Sequence, residues 1–272
     1  MRIEQGDDGR TQVYFRQSWV NNFLLCNDRA RLDVETDQTN EAAALGTAHH
    51  SGIEAALAGR ISKPSEVSEW SIATLIDLEK HFTYDDLDRD KCVAYLRHWS
   101  GQLRTQPEFV ELYANQDRLL EQEFTIHVDT IGDVDMYWTG TADAINCPTY
   151  LVDWKTTGRK YQRWEKQRWA VQPTVYAEAA RQLGWVNDDN VDFRFVVFQK
   201  SLSVPAPEVI RVTRGPGHTA WLTRMLWRAY DLRQLDEWPL NDSHALCSAK
   251  WCPVWNQCKG MHIADDFSAS PR

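Results

Sequence analysis

The 272-residue chain contains no run of eighteen apolar residues, so no helix able to cross a membrane is expected. Its first stretch, MRIEQGDDGRTQVYF, is polar and lacks an apolar signal core, so secretion is not expected and a cytoplasmic setting is. Basic residues are in deficit: 30 Lys and Arg against 39 Asp and Glu leave a formal net charge of −9. That counts against a general electrostatic coat for nucleic acid and leaves room for a local basic groove. No Gly-x-x-x-x-Gly-Lys-Ser/Thr loop is present, so the chain carries no nucleotide-driven motor of that type. No Cys-x-x-Cys pair occurs, which argues against an ordinary zinc ribbon. Internal repeats and low-complexity tracts are missing as well.

What is present is ordinary globular composition, with 43% hydrophobic residues, thirteen Trp and six Cys. The first hundred residues read as helices. RQSWVNNFLLCNDRARL has Ser18 as a plausible N-cap and one apolar face. TNEAAALGTAHHSGIEAALAG is Ala-rich and stops near Gly59, and PSEVSEWSIATLIDLEKHF and YDDLDRDKCVAYLRHWSGQL are amphipathic. The pattern then alternates. LLEQEFTIHVDT, GDVDMYWTGTADAIN and TYLVDWKTT read as three antiparallel strands separated by turns at Gly132 and Asn146-Cys147-Pro148. RWAVQPTVYAEAARQLG reads as a helix with Pro173 at a first turn or a kink. Strands VDFRFVVFQK and APEVIRVTR, the long helix GHTAWLTRMLWRAYDLRQLDEW and a loop-rich cysteine tail complete the order. The fold expected is α/β, a mixed sheet flanked by helices. One domain spans 1–272, with a mostly helical lobe at 14–110, a sheet core at 111–235 and a cysteine-rich tail at 236–262 packed on the first helix.

The chemistry concentrates at Asp143 and at Asp153-Trp154-Lys155. Residues two apart on a strand share a face, so Asp153 and Lys155 point one way and Trp154 the other. Asp143 closes the preceding strand and lies beside them if the two strands form a hairpin. Two neighbouring carboxylates repel unless a divalent cation lies between them, and hard oxygen ligands suit Mg²⁺ or Mn²⁺. Lys155 can then hold or deprotonate an attacking water and steady charge on a phosphate. The plain alternative is an exposed Asp-x-Lys strand pair, which is common on surfaces.

Four further features appear in order: GTAHHSGIE with Gly46, His50 and Glu54, GTAD with Asp143, DWK with Asp153 and Lys155, and QPTVY with Gln172 and Tyr176. Together they resemble the RecB-type branch of the PD-(D/E)XK nucleases, close to the CRISPR-associated exonucleases and their phage relatives, over about residues 14 to 262. The resemblance implies a PD-(D/E)XK restriction-endonuclease-like core. It assigns His50, Asp143, Asp153 and the Trp154 backbone carbonyl as metal ligands. Lys155 becomes the water-activating group, and Gln172 and Tyr176 position the lysine and the DNA. Adjacent His49 is the competing ligand, with the Gly46 spacing favouring His50. His127, His218 and His244 are read as structural.

Cys247, Cys252 and Cys258 form a C-x4-C-x5-C cluster, and clustered cysteines in an intracellular chain more often bind metal than pair as disulfides. The resemblance adds Cys26 as a fourth ligand for a structural [4Fe–4S] cluster, with zinc as the alternative. The spacing departs from the commoner family form, in which the first two C-terminal cysteines are two residues apart. Cys92 and Cys147 are read as small buried residues. The run RKYQRWEKQRW places Arg159, Lys160, Tyr161, Arg163, Trp164, Lys166 and Arg168 directly after Lys155. Cations meet phosphates and exposed rings stack on unpaired bases. The alternative is a solvated basic helix face with its Trp residues in the core.

The expectation is a Mg²⁺- or Mn²⁺-dependent DNA exonuclease acting on single strands or ends in a bacterial or phage-infected cell. The 5′-to-3′ direction comes from the resemblance only, and unwinding would fall to a helicase or recombination partner. The alternatives are a catalytically reduced DNA-binding or complex-forming module of the same fold, and a zinc-stapled structural protein.

Overall fold

The computed structural model describes residues 1–32, 41–81, 88–238, 241, 247–248, 252 and 254–262. In chain order it holds β1 (Arg2–Gln5), β2 (Thr11–Arg16), α1 (Gln17–Leu25), α2 (Asn27–Leu32), α3 (Glu41–Leu57), α4 (Val67–His81), α5 (Arg89–Leu103) and α6 (Pro107–Ala114). Next come β3 (Leu119–Ile131), β4 (Val134–Asn146), β5 (Tyr150–Thr157), α7 (Arg163–Trp169) and α8 (Gln172–Gln182). β6 (Val191–Gln199), β7 (Glu208–Arg214), α9 (Pro216–Leu235) and α10 (Trp255–His262) follow. The chain divides into two units. One is Met1–Asp37, Ile126–Thr139 and Ala220–Arg272, and the other is Gln38–Thr125 and Gly140–Thr219.

The second unit is a mixed sheet with helices against it. β4 runs antiparallel to β5 from Asn146↔Tyr150 to Ala144↔Val152. β5 runs parallel to β6 from Tyr150↔Asp192 to Thr157↔Gln199, and β6 antiparallel to β7 from Val191↔Arg214 to Val197↔Glu208. β6 is largely buried, as its apolar VDFRFVVF run requires of a strand covered on both faces. One face of β5 and β6 offers Val152, Trp154, Val196 and Phe198 to Leu45 and Ala48 of α3 and to Leu96 and Trp99 of α5. Burying each such large side chain contributes about 1.5–3 kcal/mol. The other face carries Phe193 and Phe195, whose ring centroids lie 5.0 Å apart, and Tyr176 of α8 packs 5.9 Å from Phe193.

The helix expected over 168–184 is two helices that part at Ala170–Val171. Pro173 falls in the first turn of α8, where the missing N–H would have had no partner anyway.

In the first unit β1 is antiparallel to β2, and β2 is parallel to β4 from Thr11↔Val134 to Arg16↔Thr139. The sequence reading did not foresee β1 or β2. They are short strands, β1 largely polar, and β2 finds its β4 partner only through a contact distant in the chain. Val13, Phe15, Met136 and Trp138 are wholly buried. Trp19 lies against Phe15 and Phe23 at 5.4 and 5.3 Å and donates from Nε1 to the Ala30 carbonyl at 2.7 Å. The single helix expected around Cys26 is broken there, because Cys26 is extended with φ −158°. The cap falls on Arg16, where β2 hands over to α1, and not on Ser18. Part of the tail expected as loop is helical, as α10. Asn241 donates to the Leu25 carbonyl of α1 at 2.8 Å.

Candidate active site

Asp153 on β5 is fully buried, a costly place for a carboxylate without partners. Lys155 supplies one: its Nζ lies 2.9 Å from Oδ1 and 2.8 Å from Oδ2. Gln172, at the start of α8, donates to the same Oδ1. Burial works against the Lys155 charge, but Asp153 and Asp143 outweigh it and hold the group as an ammonium well above its ordinary pKa.

Asp143 lies inside β4, one residue beyond the last β4–β5 pair, Ala144↔Val152. There its side chain takes over from the ladder, and Oδ2 accepts the Trp154 N–H at 3.0 Å. His50 of α3 reaches the same place from the helix side. Its Nδ1 is 3.5 Å from Asp143 Oδ2, and its Nε2 meets the Trp154 carbonyl. Burial and then the Asp153 charge push Asp143 up to about 6.

Glu121 of β3 joins them, and the sequence reading missed it. One ligand atom each from His50, Glu121 and Asp143 lie within 4.8 Å of one another. Glu121 has φ 44°, a left-handed conformation rare in non-glycine residues and characteristic of functional sites. Glu121 is exposed by surface area, yet partial desolvation of its carboxyl by the surrounding protein, then Asp143, Glu54 and Asp153, push it up to about 7. An imidazole and two carboxylates whose charged forms are disfavoured fit a hard divalent cation such as Mg²⁺ or Mn²⁺. Asp153, expected among the ligands, meets Lys155 and Gln172 through its carboxylate. The alternation of β3 marked Glu121 only as an exposed strand position, and nothing in LLEQEF signals its backbone turn.

His49 points the other way. It is wholly buried, packed against Phe198 at 4.4 Å and Trp99 at 5.1 Å, with both ring nitrogens unpartnered. Burial, aided by His50, drives its pKa down to about 3. Tyr176 is nearly buried, and burial followed by the Asp153 and Asp143 charges raises its phenol to about 12. Two glycines of the expected motifs are close approaches. A Cβ on Gly140 would lie 2.8 Å from the Phe124 ring and 3.1 Å from the Tyr176 ring, and one on Gly46 would lie 3.3 Å from Thr156 Oγ1.

The basic segment is exposed, and its tryptophans are not core residues. Trp164 and Trp169 are 51% and 59% exposed and meet edge to face at 4.9 Å. Arg159, Lys160 and Arg168 face solvent, Arg163 pairs with Glu208 at 2.6 Å, and Lys166 lies over the Tyr161 ring.

Cys26, Cys247, Cys252 and Cys258 are in no disulfide and are of intermediate exposure. Burial, Asp28, Cys26 and Cys247 push Cys258 up to about 12, which places three of the four as electrostatic neighbours. Cys92 is buried as expected, while Cys147 is only half-buried. His127 meets Thr130 Oγ1 at 2.9 Å, His218 Nδ1 accepts the Gly215 N–H at 3.2 Å, and His244 lies outside the described residues.

No curated protein matches the chain. Among solved structures it is similar to a crystal structure from Eubacterium rectale described as a "Putative exonuclease", at 12% identity over 86% of each chain with a TM-score of 0.53. A second, the crystal structure of SSO0001, aligns over 88% of this chain and 92% of that one at 11% identity, with a TM-score of 0.35 too low to carry weight. The family model of the PD-(D/E)XK nuclease superfamily matches residues 18–259, and this chain belongs to that superfamily.

Proposed function

We propose that this chain is a Mg²⁺- or Mn²⁺-dependent deoxyribonuclease, an exonuclease working on single-stranded DNA or DNA ends. One observation carries the reading: His50, Asp143 and the Trp154 carbonyl meet beside a buried Asp153–Lys155 pair. His50, Asp143, Asp153 and the Trp154 carbonyl would hold the ion, with Glu121 as an added carboxylate. The bound ion supplies positive charge against the phosphate. Lys155, kept cationic by Asp153, orients the attacking water and stabilises charge on the phosphate. Gln172 fixes the Asp153 carboxylate, and Tyr176 borders the same face. Arg159, Lys160, Arg163 and Arg168 meet the DNA backbone, and Trp164 stacks on unpaired bases. The 5′-to-3′ direction rests on the family resemblance alone, as does a helicase partner.

Cys26, Cys247, Cys252 and Cys258 would carry a structural [4Fe–4S] cluster. Tetrahedral zinc on the same four thiolates is the alternative. Purified protein should be brown and contain iron, and Cys26→Ala should lose both while Cys92→Ala keeps them. Iron retained in Cys26→Ala would remove the fourth ligand.

The decisive experiment is digestion of end-labelled single-stranded and duplex DNA with Mg²⁺, Mn²⁺ or a chelator. Metal-dependent release of short products from single strands is expected. No cleavage in either metal would overturn the reading.

A further inference from the structure

The cations after Lys155 are not alike. Arg159, Lys160 and Arg168 face solvent, and Arg163 is engaged by Glu208. Lys166 is the one residue of α7 that is not exposed. Its Nζ stands 4.1 Å from the centre of the Tyr161 ring and 5.3 Å from that of Phe195.

Phe195 fixes which way Lys166 looks. Across the parallel β5–β6 ladder Phe195 is the partner of Asp153. Paired residues on neighbouring strands project to the same face about 4.8 Å apart. Lys166 therefore stands on the face that carries Asp153 and Lys155, not on the outer face of the basic segment. Among the described residues no carboxylate lies within ion-pairing distance of it. Two aromatic rings hold the ammonium in their place, an arrangement that keeps a cation desolvated without neutralising it.

We infer that Lys166 is a second active-site cation that donates to a non-bridging oxygen of the scissile phosphate, opposite the work of Lys155. This rests on the nuclease reading above. A half-buried lysine near another lysine is unfavourable until an anion arrives, and the phosphodiester is that anion. Burial and then Lys155 lower its pKa, against the opposing pull of Asp153 and Glu165. During hydrolysis the water oxygen bonds to phosphorus and the bond to the leaving sugar oxygen breaks. The water loses a proton and the leaving oxygen gains one. Negative charge grows on the non-bridging oxygens meanwhile, and a donor poised there is worth more in the transition state than in the bound substrate. The same geometry links grip to chemistry, because α7 bears the backbone-binding Arg168 outside and Lys166 inside.

The test is steady-state kinetics on a labelled single strand for Lys166→Met, Lys166→Arg and Arg168→Met, with thermal melts of each. Lys166→Met should lower kcat about 30-fold or more with KM within about threefold, since removing one transition-state donor costs on the order of a hundredfold. Its melting temperature should hold or rise, and Lys166→Arg should recover part of kcat. Arg168→Met should instead raise KM and flatten its salt dependence, as loss of an outer phosphate contact does. Wild-type cleavage with kcat of Lys166→Met unchanged, or with its whole loss in KM, overturns the inference alone. Absence of wild-type cleavage removes the nuclease reading and this inference with it.

Discussion

Two histidines stand side by side on α3 and live in different media. His50 reaches Asp143 and the Trp154 carbonyl, and His49 is sealed between Trp99 and Phe198. Successive helical residues are turned about 100° apart, enough to send neighbours into different surroundings. The contrast extends over β5. Trp154 belongs to an apolar face where packing decides stability, and Asp153 and Lys155 belong to a charged face held together by electrostatics. One face should therefore tolerate substitution without unfolding the molecule, and the other should not.

The sharpest way to break that contrast is Asp153→Ala or Lys155→Ala. Each should lower the cleavage rate by about a thousandfold or more while the protein stays folded, because the groups act on transition-state charge. Near-normal turnover in either variant removes the site. Next in size, His50→Ala should weaken Mn²⁺ binding by about 100-fold in calorimetry, and Glu121→Gln by about tenfold, with His49→Ala unaffected. The reverse order for the histidines would move the ligand to His49. Third, His49→Ala should lower stability to denaturant by about 2–4 kcal/mol through the cavity it leaves, and His50→Ala by much less.

The smallest effect is a pair of opposed pH slopes in the metal-free protein. The unfolded chain protonates His49 below its ordinary 6.5, whereas the fold keeps it neutral to about 3, so stability is lost as pH falls through that interval. Asp143 and Glu121 behave in the opposite sense. Unfolded they release protons near 3.8 and 4.5, while the fold keeps them protonated to about 6 and 7, so stability is lost as pH rises. Melting curves from pH 3 to 8 should lose the acid limb in His49→Leu and the upper limb in Asp143→Asn or on adding Mn²⁺. An upper limb that survives both changes would show that these carboxylates do not carry it.

The sequence showed the Asp153, Trp154 and Lys155 division because strand alternation is local and strict. It showed Gly140 and Gly46 as motif positions, but not the rings and the hydroxyl they make room for. Glu121 stayed hidden because backbone torsion leaves no mark on residue type. β1 and β2 stayed hidden because they are short, and β2 is held by a distant β4 while β1 is held only by β2. Trp164 and Trp169 left two readings open, since hydrophobicity cannot tell a core indole from one displayed to solvent.

Gly140 sets a tolerance. The rings of Phe124 and Tyr176 close over its bare α-carbon, and three residues on the same strand bears Asp143, while Tyr176 shares α8 with Gln172. The gap between strand and helix is thus gauged by a missing methyl group. Restoring that methyl would act as a shim, forcing the two carriers apart and detuning the distance between Asp143 and the Asp153–Gln172 pair without touching any group that does chemistry.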